Sequence, residues 1–457
     1  MQEYIIELSK YFIAAFMILY TLVSLLALCQ RKNGKTQGVS AVQTILMFLI
    51  QVLCFLDLTL VSRDVQYLFF FAFIMLFQFA AITMVSLIYD RVNHFLLNNM
   101  CMLLGTGLCM VSRLSFQKAI KQYVIVVISL MISLLIPFLI KKIRFFKKLT
   151  WVYAAVGIGL LSVVLVLGEI THGSKISFSV GGVTFQPSEF VKILYVFFLA
   201  GALWEKTSLG RVVLTAILAG AHVIILVVSK DLGSALIFFV TYVMMLYVAT
   251  KKPVYLLAAA GCAVVASVGA YYIFSHIQVR VQAWRDPWSV INDAGYQIAQ
   301  SMFAICSGGM FGLGLYGGTP GDIPYVETDF IFSAMAEELG ILFCICLIMV
   351  YISCFIMFMN IAVRVKDRFY QLVAFGLGVT YGFQIFLTVG GGTKFIPLTG
   401  VTLPLISYGG SSVLATLIMF AVVEGIYCIR QVGGKGVVRK KTGTTRETKT
   451  EAKRQTE

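Results

Sequence analysis

Asp329, in the stretch IPYVETDFIF (323–332), is a carboxylate at the mouth of a long apolar run that also holds Glu337 and Glu338. An acid placed there can take a proton from a hydroxyl as a general base, if the reacting group comes within hydrogen-bond reach. Glu189 and Lys192, in QPSEFVKI, stand three residues apart. On a helix that spacing puts both side chains on one face, where they can pair. Pro187 opens the same segment, at a first-turn position where its missing N–H costs nothing. Charged residues inside apolar runs are few: Asp57, Glu189, Lys192, Lys230, Asp231, Glu337, Glu338 and Glu424. Such residues are costly in lipid and commonly functional. Glu189 and Lys192 allow two readings, a structural ion pair that pins one helix to its neighbours or a charged pair lining a water-filled cavity. Lys230 and Asp231 read as a pair at a helix end. Asp57 has no obvious partner. Of Glu337 and Glu338, at least one must face the protein interior or water.

Other chemistries find little support. The four histidines (His94, His172, His222 and His276) are scattered and form no HExxH pair, which argues against a zinc protease. The ten cysteines lie almost entirely in apolar runs, without CxxC or metal-ligand spacing, and read as small buried apolar residues. The glycine-rich GGMFGLGLYGG (308–318) follows no strand of a βαβ unit, so it does not read as a nucleotide-binding loop. What remains is carboxylates, a few cations and glycine-rich turns. That kit suits general-base chemistry or binding of a phosphate-bearing headgroup, and a transporter would use much the same one.

The elements that must position these residues follow from composition. Mean hydropathy is +0.91 and only 12% of residues are charged, against about 25% in soluble domains. Most of the chain therefore faces lipid or other membrane helices. A bilayer core takes about 20 apolar residues per helix. Runs near that length fall at 11–29, 41–61, 67–89, 95–112, 122–140, 150–168, 188–204, 212–229, 232–249, 254–275, 331–360, 370–390 and 405–428. An all-α polytopic membrane protein of thirteen helices is the expectation. The start, MQEYIIELSK, lacks a basic region ahead of a cleavage site, so the first run is expected to stay as a span. The tail from Arg430 is basic and without apolar periodicity, as in a disordered extension. The net charge of +15 reads as topology, not nucleic acid binding, because Lys and Arg collect in alternate short loops. With the tail in the cytoplasm, 25 of the 36 Lys and Arg fall inside, 9 outside and 2 within spans. Arg113, Lys118 and Lys121 run against that pattern, since they fall outside. The long loop at 276–330 and those at 169–187 and 391–404 are then extracytoplasmic.

Four motifs carry a resemblance. QPSEFVK (186–192), DLGSALIFF (231–239), ETDFIFSAMAEELG (327–340) and PLTGVTLPLISYGGSS (397–412) resemble, in order and spacing, the SEDS family (shape, elongation, division and sporulation), which includes FtsW, RodA and SpoVE. The resemblance implies a ten-helix core at 91–430, a three-helix extension at 1–90 outside it, and a tail at 431–457. It implies a peptidoglycan glycosyltransferase in the bacterial cytoplasmic membrane that polymerises lipid II into a glycan strand, beside a class B penicillin-binding protein. Asp329 matches the family's essential aspartate, and Glu189 and Lys192 its intramembrane ion pair. Gln186, Ser188, Arg280, Gln297, Ser407, Gly409 and Gly410 become candidate contacts to substrate. A divalent cation (Mg or Mn) at the diphosphate is a further expectation. The alternatives are a flippase for the lipid-linked precursor and a non-catalytic scaffold for the penicillin-binding protein.

Helix parity and the Lys/Arg distribution predict that Ser289 is extracytoplasmic. A cysteine introduced there should react with a membrane-impermeant maleimide on intact cells. Labelling only after the membrane is breached would refute the topology.

Overall fold

Backbone polar groups find no water in lipid, so spans this apolar must satisfy them internally, as helices do. The computed structural model bears this out. It describes residues 2–29, 36–89, 91–142, 145–171, 174–180, 183–205 and 208–429. In chain order the helices are α1 (Gln2–Cys29), α2 (Thr36–Ser62), α3 (Gln66–Ile88), α4 (His94–Leu114), α5 (Phe116–Lys142), α6 (Thr150–Leu167), α7 (Pro187–Leu203), α8 (Leu209–Val228), α9 (Leu232–Thr250), α10 (Val254–Ile273), α11 (Ser275–Arg285), α12 (Tyr296–Gly308), α13 (Ile331–Arg364), α14 (Arg368–Gly392) and α15 (Gly410–Ile429). Twelve are long and apolar enough to cross a membrane, and the chain is a multi-pass membrane protein. The thirteenth expected run forms α7, which has 17 residues and packs against α6, itself 18 residues long. Both lie at the short end of the spanning range. The basic tail lies outside the described residues.

The helices of residues 1–90 do not stand apart. One apolar core runs from Ile13 to Ile426, with α1 packed on α2 and α13 and α2 packed on α4. The contact is also polar. The Asn99 side-chain oxygen on α4 accepts from Tyr20 (2.9 Å), Ser24 (3.0 Å) and Gln43 (2.8 Å), and its amide donates to Ser353 on α13 (3.2 Å). Asp57, partnerless in the sequence, accepts from Ser9 Oγ of α1 (2.5 Å). A helix with polar residues at these positions cannot face lipid cheaply, and α4 is buried along nearly its whole length.

Two segments depart from plain helix. Within the loop expected at 169–187, β1 (Glu169–Thr171), β2 (Ser174–Val180) and β3 (Val183–Phe185) form an antiparallel sheet in the order β1-β2-β3. The long apolar run at 331 breaks at Gly340, whose φ of 87° and ψ of 162° are not helical. The broken ends are satisfied by the glycine-rich segment. The carbonyls of Glu337 and Glu338 accept from Leu313 N and Gly314 N (both 2.9 Å), and Ile341 N and Leu342 N donate to the carbonyls of Gly309 (3.0 Å) and Met310 (3.2 Å). Glycine-rich 308–318 is thus a splint on a broken helix, and the residues after the break still suffice to span.

Two of the three basic residues that defied the charge pattern have acidic partners. Arg113 pairs with the buried Glu338 (2.7 Å) and Lys118 with Glu327. One acid lies in α13 and the other in the long loop, so the place of Arg113 and Lys118 is fixed by local pairing. Glu337 and Glu338 are both buried; Glu337 takes Thr319 N (3.0 Å) and Glu338 takes Tyr316 N (3.1 Å).

A Cβ at Gly340 would lie 2.4 Å from Gly312 N, in a left-handed conformation that L side chains avoid. Gly340→Ala should therefore lower the thermal midpoint, by strain of about 1–3 kcal/mol or more. Gly159→Ala, at a helical site with open space around it, should leave it unchanged or slightly raised. Equal midpoints for the two variants would contradict the break.

Candidate active site at the loop-rich end

The segment after α14, residues 393–409, is the frame of the site. It is mostly non-helical, so its backbone groups must be satisfied by neighbours. Those neighbours include expected site residues. Arg280, on α11, donates through Nη1 to the carbonyls of Leu398 (3.2 Å) and Thr399 (3.3 Å). A Cβ at Gly400 would lie 3.8 Å from Asp329 Oδ2 and 4.0 Å from Arg280 Nη2. The carboxylate and the guanidinium therefore converge on one point of bare backbone, and Gly400, at φ 74°, keeps that point open. Burial pushes the Arg280 pKa down, and the charges of Asp329 and Asp231 push it back up. Asp329 is half-buried, one residue before Phe330, which holds the N-cap position of α13.

Deeper along the bundle lies the ion pair. Glu189 Oε2 stands 2.8 Å from Lys192 Nζ, with both side chains almost wholly buried. The contact is close but off the angles of a directed hydrogen bond, so its attraction is mainly Coulombic. Lys192 instead directs a hydrogen bond to Gln384 Oε1 on α14 (2.6 Å), and Gln384 Nε2 donates to the Thr402 carbonyl (3.0 Å). The pair is thereby linked to the same frame.

Gln186 and Ser188 prepare α7. The Gln186 backbone N–H donates to Ser411 Oγ (2.9 Å), and its side chain donates to Ser188 Oγ (3.0 Å). Both side chains reach Asp231 Oδ2, at 3.5 and 3.4 Å. Asp231 is the N-cap of α9, taking Ser234 N at 3.1 Å. Burial raises its pKa. Its neighbour Lys230 has an exposed side chain in left-handed backbone, so the two residues point different ways and Asp231 belongs with the site. Sequence reasoning had it only as a helix-end residue, and it passed over Gln384 and Thr402. A glutamine amid the apolar run 370–390 was the available signal.

Ser407 and Gly409, two of the other expected contacts, also bond within the protein. Ser407, 1% exposed, donates to the Thr328 carbonyl (2.5 Å) and accepts from Leu403 N (2.9 Å), fixing the residue before Asp329. Gly409 N donates to Gln122 of α5 (3.3 Å), and a Cβ at Gly410 would lie 3.0 Å from Ile125. This glycine pair faces a helix. Gln297 is half-buried in the first turn of α12. Ser301, one turn later, meets Ser333 near the start of α13 (2.6 Å).

Among the described residues, no three or more His, Cys, Asp or Glu side chains gather as a metal-ligand set.

Comparison with known proteins agrees with this arrangement. The sequence profile described as cell cycle protein, FtsW/RodA/SpoVE, matches residues 92–431. Peptidoglycan glycosyltransferase RodA of Mycobacterium bovis (strain ATCC BAA-935 / AF2122/97) is 38% identical over 271 residues, 56% of this chain and 58% of that protein, so the match covers less than two thirds of that relative. Peptidoglycan glycosyltransferase RodA of Mycobacterium leprae (strain TN) is 34% identical over 357 residues, 72% of this chain and 77% of that protein. A chain of the solved structure described as "Structural coordination of polymerization and crosslinking by a peptidoglycan synthase complex" superposes with a TM-score of 0.64 at 25% identity, covering 74% of this chain and 98% of that one. From residue 92 to 431 the chain carries the family's pattern, on a bundle whose loop-rich end gathers the motif residues; it belongs to the FtsW/RodA/SpoVE (SEDS) family.

Proposed function

We propose that this protein is a peptidoglycan glycosyltransferase that polymerises lipid II into glycan strands at the outer face of the bacterial cytoplasmic membrane. The convergence of Asp329 and Arg280 at Gly400 carries the reading: a base and a cation face one open point at the end of a membrane bundle. The names of the mycobacterial relatives support it. The N-terminus is then extracytoplasmic, the C-terminus cytoplasmic and the loop-rich end external.

Lipid II presents its sugars on a diphosphate at headgroup level. The C4 hydroxyl of one GlcNAc attacks C1 of the MurNAc on another chain. The new O4–C1 bond forms as the bond from C1 to the diphosphate oxygen breaks, with inversion. The hydroxyl proton passes to the Asp329 carboxylate, and undecaprenyl diphosphate leaves with the bonding electrons. No strong acid is needed, because diphosphate leaves as a stable anion. Arg280 keeps its charge at any working pH. Its Nη2 faces the same point of Gly400 as the base, where it can steady charge on the departing diphosphate. A divalent cation there (Mg or Mn) would draw its ligands mainly from the diphosphate, as Mg commonly does. Glu189, Lys192 and Gln384 form the polar floor beneath the sugars, and membrane lipid surrounds the bundle. A class B penicillin-binding protein is the expected partner, in keeping with the peptidoglycan synthase complex of the structural relative.

Asp329→Asn keeps size and shape and removes the proton acceptor. General-base catalysis contributes about 10²–10⁴-fold, so polymerisation by the purified variant should fall at least a hundredfold, with lipid II binding and thermal midpoint little changed. If Asp329 served the start of α13 as a cap, Asn would do nearly as well and glycan synthesis would persist. That outcome removes Asp329 from the mechanism.

A further inference from the structure

The helices before residue 92 lie outside the family match, and nothing in the reaction above requires them. Outside the extension, α2 and α3 pack mainly on α4 and α5, but α1 packs on α13 and two side chains of the extension reach the splint. Tyr67, at the start of α3 and 8% exposed, shares a hydrogen bond of 3.0 Å with the hydroxyl of Tyr316 in the glycine-rich splint. Tyr11 of α1 meets Phe311 of the same splint, ring to ring, at 5.1 Å. Below the break, α1 packs along α13, and Asn99 ties Tyr20, Ser24 and Gln43 of the extension to Ser353 of α13.

Tyr316 is the point where these contacts meet. Its φ of 66° is unfavourable for a bulky side chain, so its neighbours must hold it in place. Its N–H donates to Glu338 (3.1 Å), the Arg113 guanidinium lies 3.9 Å above its ring, and its hydroxyl reaches Tyr67. Glu338 stands beside the Gly340 break, and the splint residues around Tyr316 supply the bonds that the broken α13 lacks. The short helix that begins just after Asp329 is therefore held at its far end by the splint, and the splint is held from behind by the extension.

We propose that the three N-terminal helices are a positioning module: through Tyr67 and Tyr316 they clamp the glycine-rich splint, and through it the half-helix that sets the placement of Asp329. Tyr67 and Tyr316 are positioning residues and touch no reacting atom. The proposal rests on Asp329 being the base. A displacement of about 1 Å can cost about a hundredfold in rate, so loosening the clamp lowers turnover without changing the surface that lipid II contacts.

The test uses the full-length purified chain with Tyr67→Phe and Tyr67→Ala. Loss of one neutral hydrogen bond is worth about 0.5–1.5 kcal/mol. Backbone amide exchange in the peptides holding Leu313, Gly314, Ile341 and Leu342 should therefore speed up about two- to tenfold in Tyr67→Phe, while exchange in α14 stays unchanged. In Tyr67→Ala the exchange should rise further, and kcat should fall at least about tenfold with KM for lipid II unchanged. Tyr67→Ala in a Tyr316→Ala background should add little, because both remove the same link. If Tyr67→Ala does not fold, Tyr67→Phe alone decides through amide exchange. Unchanged exchange at those amides overturns the proposal, and so does faster exchange with wild-type turnover in Tyr67→Ala. If the wild-type chain makes no glycan, the catalytic reading falls separately, and the exchange result still decides the clamp.

Discussion

Non-helical backbone at membrane depth has to find its hydrogen bonds within the protein or from water in a cavity, because lipid supplies none. Most of the architecture around the site answers that constraint. At the Gly340 break, two carbonyls and two N–H groups find their partners in the splint at 309–314. The segment from 393 to 409 leaves its own groups open. Arg280, Gln384 and Ser407 answer for Leu398, Thr399, Thr402 and Leu403. The residues proposed for the chemistry are in part the residues that hold irregular backbone in place.

The ion pair shows the energetic side of the same arrangement. Bringing two charges out of water is expensive, and their attraction offsets that only when remaining polar groups are also satisfied. Lys192 meets this condition through Gln384. The pair is thus weak evidence for stability and better evidence for a fixed polar surface in an apolar bundle. Arg113 and Glu338 apply the same solution to the splint, with Tyr316 beneath the guanidinium.

Sequence legibility followed the physics of each element. The spans were readable because lipid demands an apolar run of known length, and each expected run has its helix. The break in α13 was hidden for the same reason: ELGILF stays apolar across it, and hydropathy is blind to φ. The signal was a glycine directly after Glu337-Glu338-Leu339, opposite a second glycine-rich stretch. The small sheet was also missed, although Gly181-Gly182 between β-prone residues is a hairpin signature. Among site residues, Glu189 and Lys192 were readable from charge placed where lipid penalises it, Asp329 from its place at the mouth of an apolar run, and Arg280 only through the resemblance. Asp231 was seen but assigned to a helix boundary, because sequence cannot show that a cap also faces a neighbouring helix. Ser407 and Gly409 were read toward substrate, and the structure adds bonds from them to Thr328, Leu403 and Gln122. Polarity in a motif does not say which way a side chain turns.

The central claim is that the loop-rich end joins sugars and does not merely bind or move a lipid-linked precursor. Purified wild-type protein given lipid II in detergent tests it directly, with product length, anomeric configuration and released undecaprenyl diphosphate measured together. The account predicts glycan strands with inverted linkages and one undecaprenyl diphosphate released per bond formed. Intact lipid II after prolonged incubation, together with transfer of lipid II between leaflets when the same protein is placed in vesicles, would contradict it.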